Sequence, residues 1–158
     1  MANTLDGEPK ILLLRTDRLG DTILSTPTAL ALKKHFPSCD LHFLSSAYTK
    51  PLLRMCPAID SCTAIEQFDG REGRTDLKQF IAWLRDQAFD AAVALFPRPS
   101  QAWALWKAGI PNRVGTAFRY YSGLYNSRVK EHRKTGEFHE AEYNTHLLRP
   151  LGVEQSSI

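Results

Sequence analysis

An α/β fold, a parallel sheet with helices on both faces, is predicted by three observations. Short apolar runs such as Lys10-Ile11-Leu12-Leu13-Leu14 and Phe89-Asp90-Ala91-Ala92-Val93-Ala94-Leu95 read as strands buried on both sides. Between them lie stretches with helical apolar spacing, as in Leu77, Phe80, Ile81 and Leu84. Turn formers, among them Pro37, Pro57, Gly109 and Pro150, separate the two kinds of run. Strands alternating with helices of this length make parallel units, and 158 residues suit one domain with a real core.

Residues 1–9 read as a polar, flexible tail, and 10–15 as the first strand. A helical run follows to Phe36, with Ile23, Leu24, Pro27, Leu30 and Ala31 as its expected core-facing stripe. Its start has two readings. Thr26 caps a helix with Pro27 at the first position, or a helix begins at Gly20-Asp21 and bends at Pro27. A second strand is expected at 41–44, a short helix at 48–55, and a third strand at 62–65. Thr75 is the expected cap of a helix through Gln87, followed by a fourth strand at 89–95. A helix carrying Trp103 and Trp106 runs to Gly109, with a fifth strand at 112–115. Residues 116–137 show no period and read as a long loop, and a last helix spans 139–149.

The formal net charge of +3 is unevenly spread: from Arg98 to Lys134 eight Lys/Arg face one acid, Glu131. That half can meet phosphate or form a solvated basic face. Cys39, Cys56 and Cys62, an odd number without Cys-x-x-Cys spacing, read as reduced thiols. No apolar run reaches the ~18 residues of a membrane span, and the N-terminus lacks the pattern of a secretory signal. The expectation is a cytoplasmic protein, with contact at the inner face of the cytoplasmic membrane left open.

The most informative stretch follows the first strand: Arg15-Thr16-Asp17-Arg18-Leu19-Gly20-Asp21-Thr22. Ligands of open α/β sheets bind at the C-terminal strand ends, beside helix N-termini. Arg15 and Arg18 suit anionic oxygens, and Gly20 permits close approach of the backbone. One glycine makes neither Gly-x-x-x-x-Gly-Lys-Ser/Thr nor Gly-x-Gly-x-x-Gly. Asp21 can take a proton from a substrate hydroxyl or simply cap the helix. Asp17 reads as a solvated or Arg-paired residue.

Ile11 to Pro37 resembles the opening of glycosyltransferase family 9, the ADP-heptose:lipopolysaccharide heptosyltransferases and their relatives. The shared pattern is a strand, then Arg, three variable residues, Leu-Gly-Asp, then Thr-Pro and a helix ending in Phe-Pro. Phe89–Val93, Ala108–Gly115 and His139–Leu148 resemble later family segments, so the resemblance runs from Lys10 to Gly152. It implies a Rossmann-like sheet forming the N-terminal, acceptor-side half of a GT-B enzyme, over residues 10–152. Residues 153–158 would begin the interdomain linker, with the C-terminal donor-binding domain absent. The implied reaction is an inverting, metal-independent transfer from a nucleotide sugar such as ADP-heptose to a lipopolysaccharide-core acceptor. Asp21 matches the catalytic base. Arg15, Arg18, Gly20 and Thr22 are implied substrate contacts; His139 is by the same resemblance a cleft residue or else a solvated residue at a helix start, and Arg98, where the chain departs from the family, offers a different phosphate contact. The chain departs from the family after the fourth strand, where Ala94-Leu95-Phe96-Pro97-Arg98 replaces an Asp-x-Gln-Gly turn, and at Tyr143, where Arg is common.

Other constellations carry less. His139, Glu142 and His146 share a helical face, but the two histidines lie two turns apart, so no metal is expected. Trp103 and Trp106 are expected to pack in the core or at a domain interface. Tyr120, Tyr121 and Tyr125 among Arg119 and Arg128 fit a loop over an anionic acceptor better than a nucleic-acid stacking surface.

Overall fold

Four residues with no solvent exposure, Ile11, Leu12, Leu13 and Leu14, mark the strand at the middle of the sheet. The computed structural model describes residues 5–70, 74–131 and 138–154. Strand β1 (Lys10–Leu14) pairs in parallel with β2 (Asp40–Ser45) on one side and β4 (Ala91–Ala94) on the other. Strands β3 (Ser61–Ala64), β5 (Asn112–Thr116) and β6 (Ser127–Val129) complete a six-stranded, wholly parallel sheet of order β3-β2-β1-β4-β5-β6. Side chains alternate across it, so one strand supplies two cores. Ile11, Leu13, Phe43 and Val93 face α2 (Thr26–His35), α3 (Lys50–Leu53) and α6 (Glu140–His146). Leu12, Leu14, Leu44 and Ala92 face α4 (Leu77–Gln87) and α5 (Pro99–Ala108). The expected architecture, a Rossmann-like parallel sheet covered on both faces, is present.

The details correct several expectations. The run after β1 is two helices, α1 (Leu19–Ile23) and α2, and Ser25 rather than Thr26 stands at the cap of α2, with Pro27 in its first turn. Its buried side is Thr22, Ser25, Thr28, Ala29 and Leu32, whereas Ile23 and Leu30 are about half exposed. Asp76, not Thr75, caps α4: its carboxylate accepts from the Lys78 and Gln79 amides. Residues 116–131 are not a featureless loop. They hold a 3₁₀ turn, Ser122–Leu124, and the edge strand β6. Trp103 and Trp106 stand on the exposed side of α5 with Lys107 over both rings, so they are not core. The tail is partly anchored, with Leu5 packed on the core and the Pro9 carbonyl accepting from the Asp40 amide. At the other end Leu151 and Val153 are buried.

Candidate functional site

Chain direction creates a crevice between β1 and β4. From β1 the crossovers step toward β3, and from β4 they step toward β6, so the loops leaving the two strands diverge. Arg15 stands at the mouth of this crevice, its amide bonded to the Leu44 carbonyl, while the Leu95 amide bonds to the Leu14 carbonyl.

Arg15 is 2% exposed and its guanidinium is fully occupied. Nε and Nη2 grip Asp17 as a fork, at 2.9 and 3.1 Å. Nη1 donates to Glu140 Oε1 at 3.2 Å and to Asn144 Oδ1 at 3.0 Å. Nη2 also lies 3.7 Å from Asp21 Oδ1. One buried cation thus faces three carboxylates, which is how a buried arginine is tolerated. Arg15, expected as a substrate contact, is buried in this hub, with its guanidinium on Asp17, Glu140 and Asn144 and Asp21 beside it.

Asp21 is in the first turn of α1, with its side chain 34% exposed beside the hub. It is a carboxylate accessible to ligand yet oriented by a fixed charge. Arg18, at the start of α1, is exposed and makes no ion pair with any described residue. Gly20 has ordinary helical backbone, and a Cβ there would meet nothing within 4 Å, so its surface is open rather than required by the fold. Thr22, also expected as a substrate contact, turns inward. It is buried, and both its amide and its hydroxyl donate to the Arg18 carbonyl at 3.0 Å. His139 is the cap of α6. Its Nδ1 accepts from the Ala141 amide, and Glu142 accepts from the His139 amide at 2.9 Å, which gives the residue a structural role. Arg98, opening α5 after β4, is exposed with its guanidinium 5.2 Å from the Phe96 ring centre.

Two residues of α6 carry more of the site than their sequence suggested. Glu140 and Asn144, one turn apart, both reach Arg15, and Asn144 Nδ2 also donates to the Leu24 carbonyl where α1 meets α2. Their i, i+4 spacing puts both on one face of α6 but names no partner for them.

Beside the hub lies a cavity of about 380 Å³ at the C-terminal ends of β4, β5 and β6. Its wall is largely apolar, from Leu95, Phe96, Pro97, Phe118, Val129 and Leu147, with Thr116, Arg119, Glu131 and Tyr143 as polar members. Asp21 is not in this wall; α6 and Phe96 connect the two, since the Arg15 guanidinium lies 6.0 Å from the Phe96 ring centre. Among the described residues no group of three His, Cys, Asp or Glu is placed to hold a metal ion. No helix among them is long and apolar enough to cross a membrane.

Comparison with known proteins bears out the family 9 resemblance. A Haemophilus influenzae protein described as "Putative glycosyltransferase" is 34% identical over 140 residues, covering 89% of this chain and 40% of that protein. The solved glycosyl transferase family 9 protein of Veillonella parvula superposes with a TM-score of 0.80 at 22% identity, over 99% of this chain and 44% of its own. Escherichia coli heptosyltransferase WaaC, solved with ADP-2-deoxy-2-fluoro heptose, gives 0.76 at 15% identity, over 94% and 50%. Escherichia coli ADP-heptose lps heptosyltransferase II gives 0.67 at 23% identity, over 79% and 36%. The chain therefore spans half or less of the length of each of these relatives. No family model matches the sequence.

Proposed function

We propose, taking the likeness to glycosyltransferase family 9 as the premise, that this chain is the acceptor-side half of a GT-B sugar transferase. The observation that carries the reading is Asp21, an accessible carboxylate at the crevice between β1 and β4, held beside a buried arginine. In the proposed reaction an acceptor hydroxyl attacks the anomeric carbon of a nucleotide sugar such as ADP-heptose. Asp21 takes the hydroxyl proton as the new C–O bond forms. The bond from the anomeric carbon to the diphosphate oxygen breaks, and the nucleoside diphosphate leaves with the electron pair. A single displacement of this kind inverts the anomeric centre. The donor would sit in a second domain facing the crevice, and the acceptor would be of lipopolysaccharide-core type.

What supports Asp21 as base is its surroundings. The Arg15 ion pair limits where the carboxylate can swing, and Asp17 takes the two-pronged grip, leaving Asp21 the looser 3.7 Å contact. A base must be fixed in space yet free to accept a proton, and a long ion pair meets both needs. Arg18, exposed and without an ion pair among the described residues, is the cation placed to meet an anionic acceptor.

The test is a titration of the chain followed by backbone amide chemical shifts. A phosphorylated lipopolysaccharide-core fragment should shift residues 15–27 and 96–100, with little response to ADP-heptose. Saturable binding of ADP-heptose at those residues, with no response to the core fragment, overturns the acceptor-side assignment and favours a nucleotide-binding module.

A further inference from the structure

The cavity beside the hub has an uneven chemistry that the proposed reaction leaves unexplained. Its wall is built mostly of Leu95, Phe96, Phe118, Val129 and Leu147, and about 380 Å³ accommodates an aromatic ring or a short acyl chain. A bare sugar there would leave hydroxyls facing carbon, which is costly. The rim is the opposite. Arg119 lines the cavity, and Arg98 lies over Phe96, another lining residue. Neither arginine forms an ion pair with any described residue. Both act on one group, the Tyr121 phenol, which burial and then Tyr120 push up despite the opposing pull of Arg119 and Arg98.

The rim is also fixed. The Arg119 amide donates to Ser122 Oγ at 3.0 Å, the Ser122 amide donates back to the Arg119 carbonyl at 3.0 Å, and Ser122 Oγ donates to the Thr116 carbonyl at 2.6 Å. Glu131, the acid in the wall, is already engaged by His146 Nδ1 at 2.8 Å and Arg149 Nη1 at 3.0 Å. Arg119 in the wall and Arg98 over the lining ring of Phe96 each offer a planar donor fork of the kind that matches phosphate oxygens.

We propose that this cavity binds a phosphate ester with an apolar substituent, the phosphate on Arg98 and Arg119 and the substituent in the pocket. Resting on the acceptor-side reading, the ligand is the non-sugar portion of the acceptor, so the acceptor is an amphiphile rather than a uniformly polar glycan. Asp21 then meets its hydroxyl while the cavity holds its aglycone.

Phenyl phosphate is the probe, titrated into the chain and followed by amide shifts. Saturable shifts at Phe96, Thr116, Arg119 and Val129 are expected, with inorganic phosphate and benzyl alcohol each binding about tenfold more weakly or worse. The double variant Arg98→Gln, Arg119→Gln should weaken phenyl phosphate by about tenfold or more and leave benzyl alcohol unchanged. The Arg98→Lys, Arg119→Lys pair, which keeps the charge, should recover part of the loss. Equal binding of phenyl phosphate and inorganic phosphate, or shifts confined to residues away from the cavity, overturns the proposal. A core fragment that shifts residues 15–27 while phenyl phosphate does not bind removes the cavity proposal alone. Phenyl phosphate seated in the cavity together with saturable ADP-heptose binding at 15–27 removes the acceptor-side reading alone.

Discussion

Arg15 donates through Nη1 to the side-chain carbonyl of Asn144 at 3.0 Å, joining the loop after the first strand to the last helix across 129 positions of sequence. Asn144 has no solvent exposure and its Nδ2 bonds onward to the Leu24 carbonyl at 3.3 Å. One amide therefore fixes both the cation that positions Asp21 and the joint between α1 and α2.

Replacing that amide should be costly. Asn144→Leu leaves a buried guanidinium hydrogen without its acceptor and a carbonyl without its donor, and is expected to destabilise the fold by about 2–4 kcal/mol. A urea titration should show a lower midpoint with an unchanged slope.

Asp21→Asn separates chemistry from stability. The side chain is partly exposed and its contact with Arg15 is long, so unfolding should change by less than about 1 kcal/mol. In the proposed transferase reaction, kcat should fall about 10²-fold or more, the scale for removing a general base. A variant with near-normal turnover takes Asp21 out of the mechanism.

His42 predicts a pH dependence. It is 7% exposed, between Ser61 and Thr63 hydroxyls at 2.6 and 2.7 Å, and burial pushes its pKa down to about 4 from the ordinary 6.5. Between those values the unfolded chain holds a proton that the folded one does not. Stability contributed by neutral His42 is thus complete above pH 6.5 and is lost as pH falls toward 4, amounting to about 3 kcal/mol. Plotting unfolding free energy against pH for the wild type and for His42→Gln checks the sign. The variant's curve should be flatter across that window by up to one proton.

Gly115 and Tyr125 make a paired prediction of opposite direction. A Cβ on Gly115 would come within 2.6 Å of Tyr125 Cζ and nearer still to its neighbours in the ring, so Gly115→Ala should cost about 1–3 kcal/mol through overpacking. The Tyr125 hydroxyl is buried without a hydrogen-bond partner among the described residues. Tyr125→Phe should therefore be neutral or stabilising by up to about 1 kcal/mol, read as a rise in thermal midpoint.

Much of this fold is written locally, and the site less so. The run Ile11–Leu14 and the glycine-aspartate pair after it are enough to place the crevice loop, because a doubly buried strand must be apolar throughout. Apolar size is a poor guide to the buried side of α1 and α2. Thr22 and Ser25 return their hydroxyls to backbone carbonyls one turn back, at 3.0 and 2.9 Å, so they enter the core satisfied and leave Ile23 and Leu30 outside. Strand β6 is three residues long, Ser127-Arg128-Val129, too short for alternation to register among its tyrosines and arginines. The roles of Arg15, Glu140 and Asn144 could not be read from spacing, since their contacts span more than 120 residues.

The long reach of Asn144 also sets an order of events during synthesis. When Arg15 leaves the ribosome, Asp17 follows two residues behind, but α6, bearing Glu140 and Asn144, comes after every strand of the sheet. The β-α units before it can assemble early, as neighbours in sequence do. The crevice loop then waits with a charge that cannot be buried at acceptable cost until α6 docks. Docking of α6 and completion of the Arg15 hub are thus one step, and a nascent chain that has not yet made α6 leaves the arginine beside Asp21 without its Glu140 and Asn144 partners.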